Sequence, residues 1–350
     1  MKRIIFRILV ACVVLLVLTS LDGIAQERRV GTNAASELLI PVGARHIAMS
    51  GAAIATAQGI EAIYWNPAGL ARSEKYTASA MFSHMNYIAD VNLNYVAVSS
   101  RFGGFGTLGF SIKALDIGDI PITTEILPDG TGGTFNPQFI TAGLTYARML
   151  SDRISVGATI NIVNEDIDRV SARGVAFDFG VQYSNLASIN GLNIAVSVKN
   201  IGPSMKFSGS GLLREGDITG EDRTPGPVQI VAQSDELPSV LELGASYSVS
   251  LGENTKLDLT SLFQDNNFTD DVGRFGAEFN YNDLFFVRGG YSFAPDVADD
   301  ALGKSGYVFG PTFGAGLHYD FPKIGITFDY AYRDTDFFSA NHVFQVILGF

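Results

Sequence analysis

The sequence predicts an all-β fold: a 14-stranded antiparallel transmembrane β-barrel with an N-terminal plug segment. Three observations predict it. Apolar and small or polar residues alternate with period two from about residue 75 onward. Short and long connections alternate between those stretches. The last stretch is itself alternating and ends on Phe350.

The alternation is clearest in four places. Ile154, Val156, Ala158, Ile160 and Ile162 interleave with Ser155, Gly157, Thr159 and Asn161. The same pattern runs through Val175 and Tyr183, through Leu241 and Val249, and through Ile324 and Tyr332. Each run has the length of a tilted membrane-crossing strand, with one face wholly apolar. Fourteen such stretches are predicted, at 75–86, 92–102, 105–117, 138–149, 153–164, 174–185, 192–200, 238–250, 255–264, 272–282, 284–293, 306–320, 324–333 and 341–350. The face of Val156, Ala158 and Ile160 is expected to meet lipid, and an arginine at Thr159 is expected to be milder than one at Ile160.

The connections add independent information. Gly103-Gly104, Ser151-Asp152, Glu253-Asn254 and Pro322-Lys323 sit in short links, whereas 118–137, 201–237 and 294–305 are long. Sorting of this kind suits short periplasmic turns and long outer loops. A secreted sandwich or soluble barrel gives the same period without the sorting.

Phe344, Val346, Leu348 and Phe350 alternate along the last strand. An edge strand with one apolar face can pair with an assembly factor before the barrel closes. These residues resemble the signal read by barrel-assembly machinery, which is therefore an expected partner, as is outer-membrane lipid.

Residues 1–25 read as a signal peptide: Lys2, Arg3 and Arg7 precede an apolar run at 8–18, and Gly23-Ile24-Ala25 offers a cleavage site before Gln26. A lipoprotein signal at Cys12 is the alternative. The apolar run is too short to span a membrane.

Residues 26–74 break the period and are expected to form a plug or hatch segment, with 75–350 as the barrel. An ordinary turn is the plainer reading of the same residues. Asn66 is placed to cap a short helix with Pro67 at its first position. The run containing Trp65, Asn66, Pro67, Ala68, Gly69 and Leu70, with Gly51 to its N-terminal side, resembles the N-terminal region of the PorV/PorQ family, within the wider FadL-like group of 14-stranded barrels. Pro41, Val42, Gly43, Ala44 and Arg45 and the chain length favour the PorV side. The resemblance implies type IX protein secretion, with secreted cargo proteins and other secretion components as partners. FadL-like relatives imply instead a transporter of hydrophobic small molecules.

Catalytic chemistry is not expected. His46, His84, His318 and His342 lack metal-ligand spacing, and no nucleophile elbow or phosphate loop is present. No cofactor is implied. Acidic stretches at 265–271 and 296–300 read as solvated loops, with calcium as the alternative. A net charge of −12 argues against nucleic acid.

Glu242, Asp258, Arg274, Glu278, Arg288, Asp329 and Arg333 fall on the inward face, with both signs present. That mixture suits a network fixing plug to wall better than a selective ring. Pro311 marks either a bulge near the rim or a local opening in the wall. In the long 201–237 loop, Met205, Phe207, Leu212 and Leu213 are expected to form a partner-docking surface or, alternatively, a lid.

Overall fold

A computed structural model describes residues 33–72, 75–216, 226–295, 297 and 307–350. The expected signal peptide, the acidic stretch 296–300 save residue 297, and most of the 294–305 loop lie outside the described residues.

Fourteen antiparallel strands close into one barrel. In chain order they are β1 (Ala78–Asn86), β2 (Asn92–Arg101), β3 (Thr107–Asp116), β4 (Gln138–Met149), β5 (Ile154–Ile167), β6 (Val170–Tyr183) and β7 (Leu192–Ile201). They continue with β8 (Val240–Gly252), β9 (Thr255–Asn266), β10 (Val272–Tyr281), β11 (Phe285–Phe293), β12 (Phe309–Asp320), β13 (Gly325–Thr335) and β14 (Asn341–Gly349). Every strand pairs with its chain neighbour, and β14 pairs back onto β1 from Ser79↔Gly349 to Asn86↔His342. Closure removes the free edges that an open sheet of this size would expose.

The apolar face points out. Ile160 and Ile162 are 47% and 59% exposed, whereas Ser155 and Thr159 on the opposite face are buried. An exposed apolar band over a polar interior is the reverse of a water-soluble barrel. The long links after β3, β7 and β11 all leave from one rim, and links of a few residues close the other. Turns follow local chemistry: in the three-residue link between β10 and β11, Asn282 and Asp283 both take positive φ as the central pair of a turn that the Leu284 amide closes on the Tyr281 carbonyl at 3.1 Å. The long loops carry small ribbons of their own, pairing Ile120 with Phe135, Met205 with Asp235, and Leu213 with Gln229.

The last strand completes the seam. Phe344 and Phe350 face outward, Val343 and Gln345 inward. The Phe350 amide donates to the Ala78 carbonyl at 2.9 Å, and the Thr77 amide donates to the Phe350 carbonyl at 2.8 Å. Removing Phe350 is expected to cut the yield of heat-modifiable, folded barrel well below that of a deletion in the 117–137 loop. Equal yields would contradict this.

Candidate functional site

The described N-terminal segment, 33–72, runs through the barrel interior. Its short helices α1 (Ala44–Ile47) and α2 (Ala62–Trp65) and a 3₁₀ turn at Pro67–Arg72 are rich in Ala and Gly. Small side chains let backbone approach the wall. A Cβ at Gly180 would strike the Asn66 side chain, and one at Gly157 would strike the Pro67 carbonyl group, so the strand glycines make the room. Asn66 caps as its sequence position suggests: its Oδ1 accepts from the Ala68 amide at 3.1 Å. Trp65 donates Nε1–H to the Val42 carbonyl at 2.9 Å and stacks on His46 at 5.2 Å. Leu70, Ala68 and Pro67 are buried beside it.

The segment enters near the long-loop rim and leaves at the short-turn rim. At the first, Lys113 Nζ donates to the carbonyls of Glu37 and Ile40 at 2.5 and 2.6 Å, and the Ala35 amide donates to Glu165 at 3.1 Å. Burial, with Glu165 alongside, pushes the Glu37 carboxyl up to about 8. At the second, Arg72 donates to Ser155, Ser184 and the Arg153 carbonyl at 2.7–2.8 Å.

Between the rims lies a closed ring of buried polar groups. Arg45 grips Glu278 with Nε and Nη2 at 2.9 and 3.0 Å and donates to Glu61 at 3.1 Å. Arg288 donates to Glu278 at 2.5 Å and to Asp329 at 2.6 Å. Gln345 closes the circuit, donating to Glu61 at 2.8 Å and to Asp329 at 3.1 Å. Two guanidinium groups, three carboxylates and one amide thus join the segment to β10, β11, β13 and β14. Burial disfavours both charged forms in the adjoining pair. Burial pushes the His46 imidazole down, while His46, with Nδ1 3.7 Å away, and then Arg45 hold Glu61 well below the usual carboxylate range against its own burial.

Of the inward charges read from sequence, Glu278, Arg288 and Asp329 meet in this ring. Glu242 pairs instead with Lys199 at 3.0 Å. Asp258 lies opposite Glu278 in the ladder and is half-buried. Arg274 and Arg333 line a separate cavity of about 410 Å³ at the long-loop end, beside Trp65, Tyr87 and Phe309. Sequence reasoning missed Arg45, Glu61, Gln345, Lys113 and Lys199. A signal existed for two of them: Arg45, His46 and Glu61 are the only ionisable groups besides Tyr64 in the Ala- and Gly-rich run 42–70. Charges buried with such a run must find partners.

Three expectations need correction or refinement. Met205 is not part of an exposed docking surface. It is 1% exposed and packs with Ala34, Leu38 and Val163, because the described N-terminal end passes beneath the 201–237 loop and offers it an apolar bed. Phe207 is partly buried against the same cluster, Leu212 is half-buried, and Leu213 is exposed. Thr159 is no mild site, since it is packed at 2% exposure with its hydroxyl 2.8 Å from that of Thr145. At Pro311 the register with β13 shifts between Phe309 and Thr312, and the ladder to β11 ends at Gly290↔Thr312. The bulge is therefore present, and the neighbouring ladder is shortened with it.

Known structures share the architecture. The Pseudomonas putida toluene transporter TodX is 13% identical, with 87% of this chain and 96% of that one covered at a TM-score of 0.54. The CymD monoaromatic hydrocarbon channel is also 13% identical, covering 89% and 98% at 0.52. A Pseudomonas aeruginosa FadL homologue is 12% identical, covering 88% and 98% at 0.50. Identities this low establish the outer-membrane barrel fold alone. No curated protein sequence matches the chain. Residues 23–217, more than half of the chain, match the family model for type IX secretion system protein PorV, and the chain belongs to that family of outer-membrane secretion components.

Proposed function

We propose that the chain is a cargo-binding and shuttle component of type IX protein secretion in the bacterial outer membrane, with residues 26–74 acting as its plug. The observation that carries this reading is a PorV-family barrel whose interior is occupied by residues 33–72 from one rim to the other. With the interior packed, secreted cargo proteins and the other secretion components are met at the loops, not through a pore. Leu213, Ile230 and Val231 stay exposed on the longest loop and are the apolar part of that surface.

A transporter of hydrophobic small molecules is the second reading. It is favoured by the aromatic cavity at the long-loop end and by the fold shared with the toluene transporter.

Deleting 210–231 separates the two. This deletion spares Met205 and Phe207, and the Lys206↔Ser234 pair can still close a short hairpin. On the secretion reading the barrel folds, cargo release or surface attachment fails, and uptake of hydrophobic compounds is unchanged. Intact cargo handling with altered uptake would favour the transporter.

A further inference from the structure

A second cavity, also of about 410 Å³, lies between the start of the described N-terminal segment and the 201–237 loop. Three carboxylates line it: Glu37 of the segment, Glu165 of β5 and Asp235 of the loop. Among the described residues no lysine or arginine lines it. Lys113 of β3 stands near Glu37, but its Nζ donates to the main-chain carbonyls of Glu37 and Ile40 at 2.5 and 2.6 Å. Glu165 Oε1 accepts from the Ala35 amide at 3.1 Å, whereas Glu37 is 3% exposed and its Oε1 has no hydrogen-bond partner. A buried carboxylate oxygen without a donor is costly, and a cation set against it offsets the cost.

A proton does part of this already. Burial, with Glu165 alongside, keeps Glu37 protonated up to about pH 8. The other charged or titratable groups around it are Lys113 and, across the cavity, Asp235 and Tyr87. The rest of the lining restricts which cation could take the proton's place. Tyr87, Phe139 and Phe207 contribute aromatic rings, which attract an ammonium group and pack against an apolar body. A bare metal ion would leave the rings idle, and the described residues hold no group of three acidic or histidine side chains suited to one.

We propose that this cavity binds an organic cation, a primary ammonium group on an apolar body, with Glu37 and Glu165 holding the ammonium and the three rings holding the body. The ammonium enters charged and the Glu37 proton leaves to solvent, so the charge of the site is unchanged. The bound cation ties the 201–237 loop, through Phe207 and Asp235, to the segment inside the barrel. The proposal does not depend on the secretion reading.

Isothermal titration calorimetry of the full chain in lipid nanodiscs tests it. The probe is phenethylammonium, compared with phenethyl alcohol, its neutral counterpart. An acetylated and amidated pentapeptide with one lysine among alanines supplies the same ammonium from a polypeptide, and the tighter of the two ammonium probes names the source. Phenethylammonium is expected to bind saturably and about tenfold or more tighter than the alcohol. Heats measured in phosphate and in HEPES at pH 7 are expected to differ by the release of about one proton per ammonium bound, and affinity to rise from pH 6 towards pH 8 and level off above it. Glu37→Gln keeps the size of the protonated side chain; it is expected to abolish the proton release and weaken binding about tenfold, with folding checked by heat-modifiable migration. The comparison with the alcohol needs no variant. Equal binding of alcohol and ammonium would overturn the proposal, as would ammonium binding without proton release. So would binding that appears only after Arg28 and Arg29 are replaced by Gln, because the carboxylates then serve the chain's own arginines.

Discussion

Replacing Arg288 with Met is expected to lower the stability of the folded barrel by about 3–5 kcal/mol, the usual cost of breaking a buried ion pair from one side. Arg288 is 4% exposed and supplies the only cation hydrogen-bonded to Asp329 among the described residues. Its loss leaves Asp329 buried with a single amide donor, Gln345, at 3.1 Å, and leaves Glu278 with Arg45 alone. The cost comes from stranded carboxylates, so a second substitution, Asp329→Asn, is expected to recover part of it. A double-mutant cycle on urea unfolding, followed through Trp65, measures that coupling. Strict additivity of the two substitutions would mean that the ring does not act as a unit.

Arginine at Ile160 is expected to destabilise the barrel by about 2–4 kcal/mol if the site lies near the bilayer midplane. Ile160 sits mid-strand in β5, paired with Leu144 and Phe177, with its side chain 47% exposed on the outer face. The lumen-side comparison belongs at Gln264, which borders the 410 Å³ cavity and has space in front of it. Gln264→Glu, which sets a carboxylate on the cavity that Arg274 and Arg333 line, is expected to cost much less. Refolding yields into vesicles, titrated with urea, give both values. A larger loss at Gln264 would reverse the inside and outside assignments.

The barrel was legible because membrane strands must hide their backbone from lipid and still present one apolar face. That requirement writes period two into β5, β6, β8 and β13, and all fourteen strands fall within a few residues of where the alternation puts them. Asn66 was legible for a local reason, since its side chain caps a turn two residues away. The polar ring was only half legible. Period two places Glu278, Arg288 and Asp329 on the inward face. Nothing local tells Arg45 that its partner lies 233 residues away. Met205 misled for the same reason. An apolar residue in a long loop looks available until the residues it packs on, Ala34 and Leu38, are brought to it through the barrel. Thr159 misled because an inward face was equated with open space, and segment 33–72 fills that space.

If the barrel serves protein secretion, loss of the whole chain blocks release of exported proteins and leaves small-molecule uptake intact. In a strain lacking the gene, mass spectrometry of periplasm, cell surface and medium should find normally released proteins retained in the periplasm. Uptake of a hydrophobic probe such as toluene should be unchanged. Normal release of those proteins with loss of toluene uptake would contradict the claim.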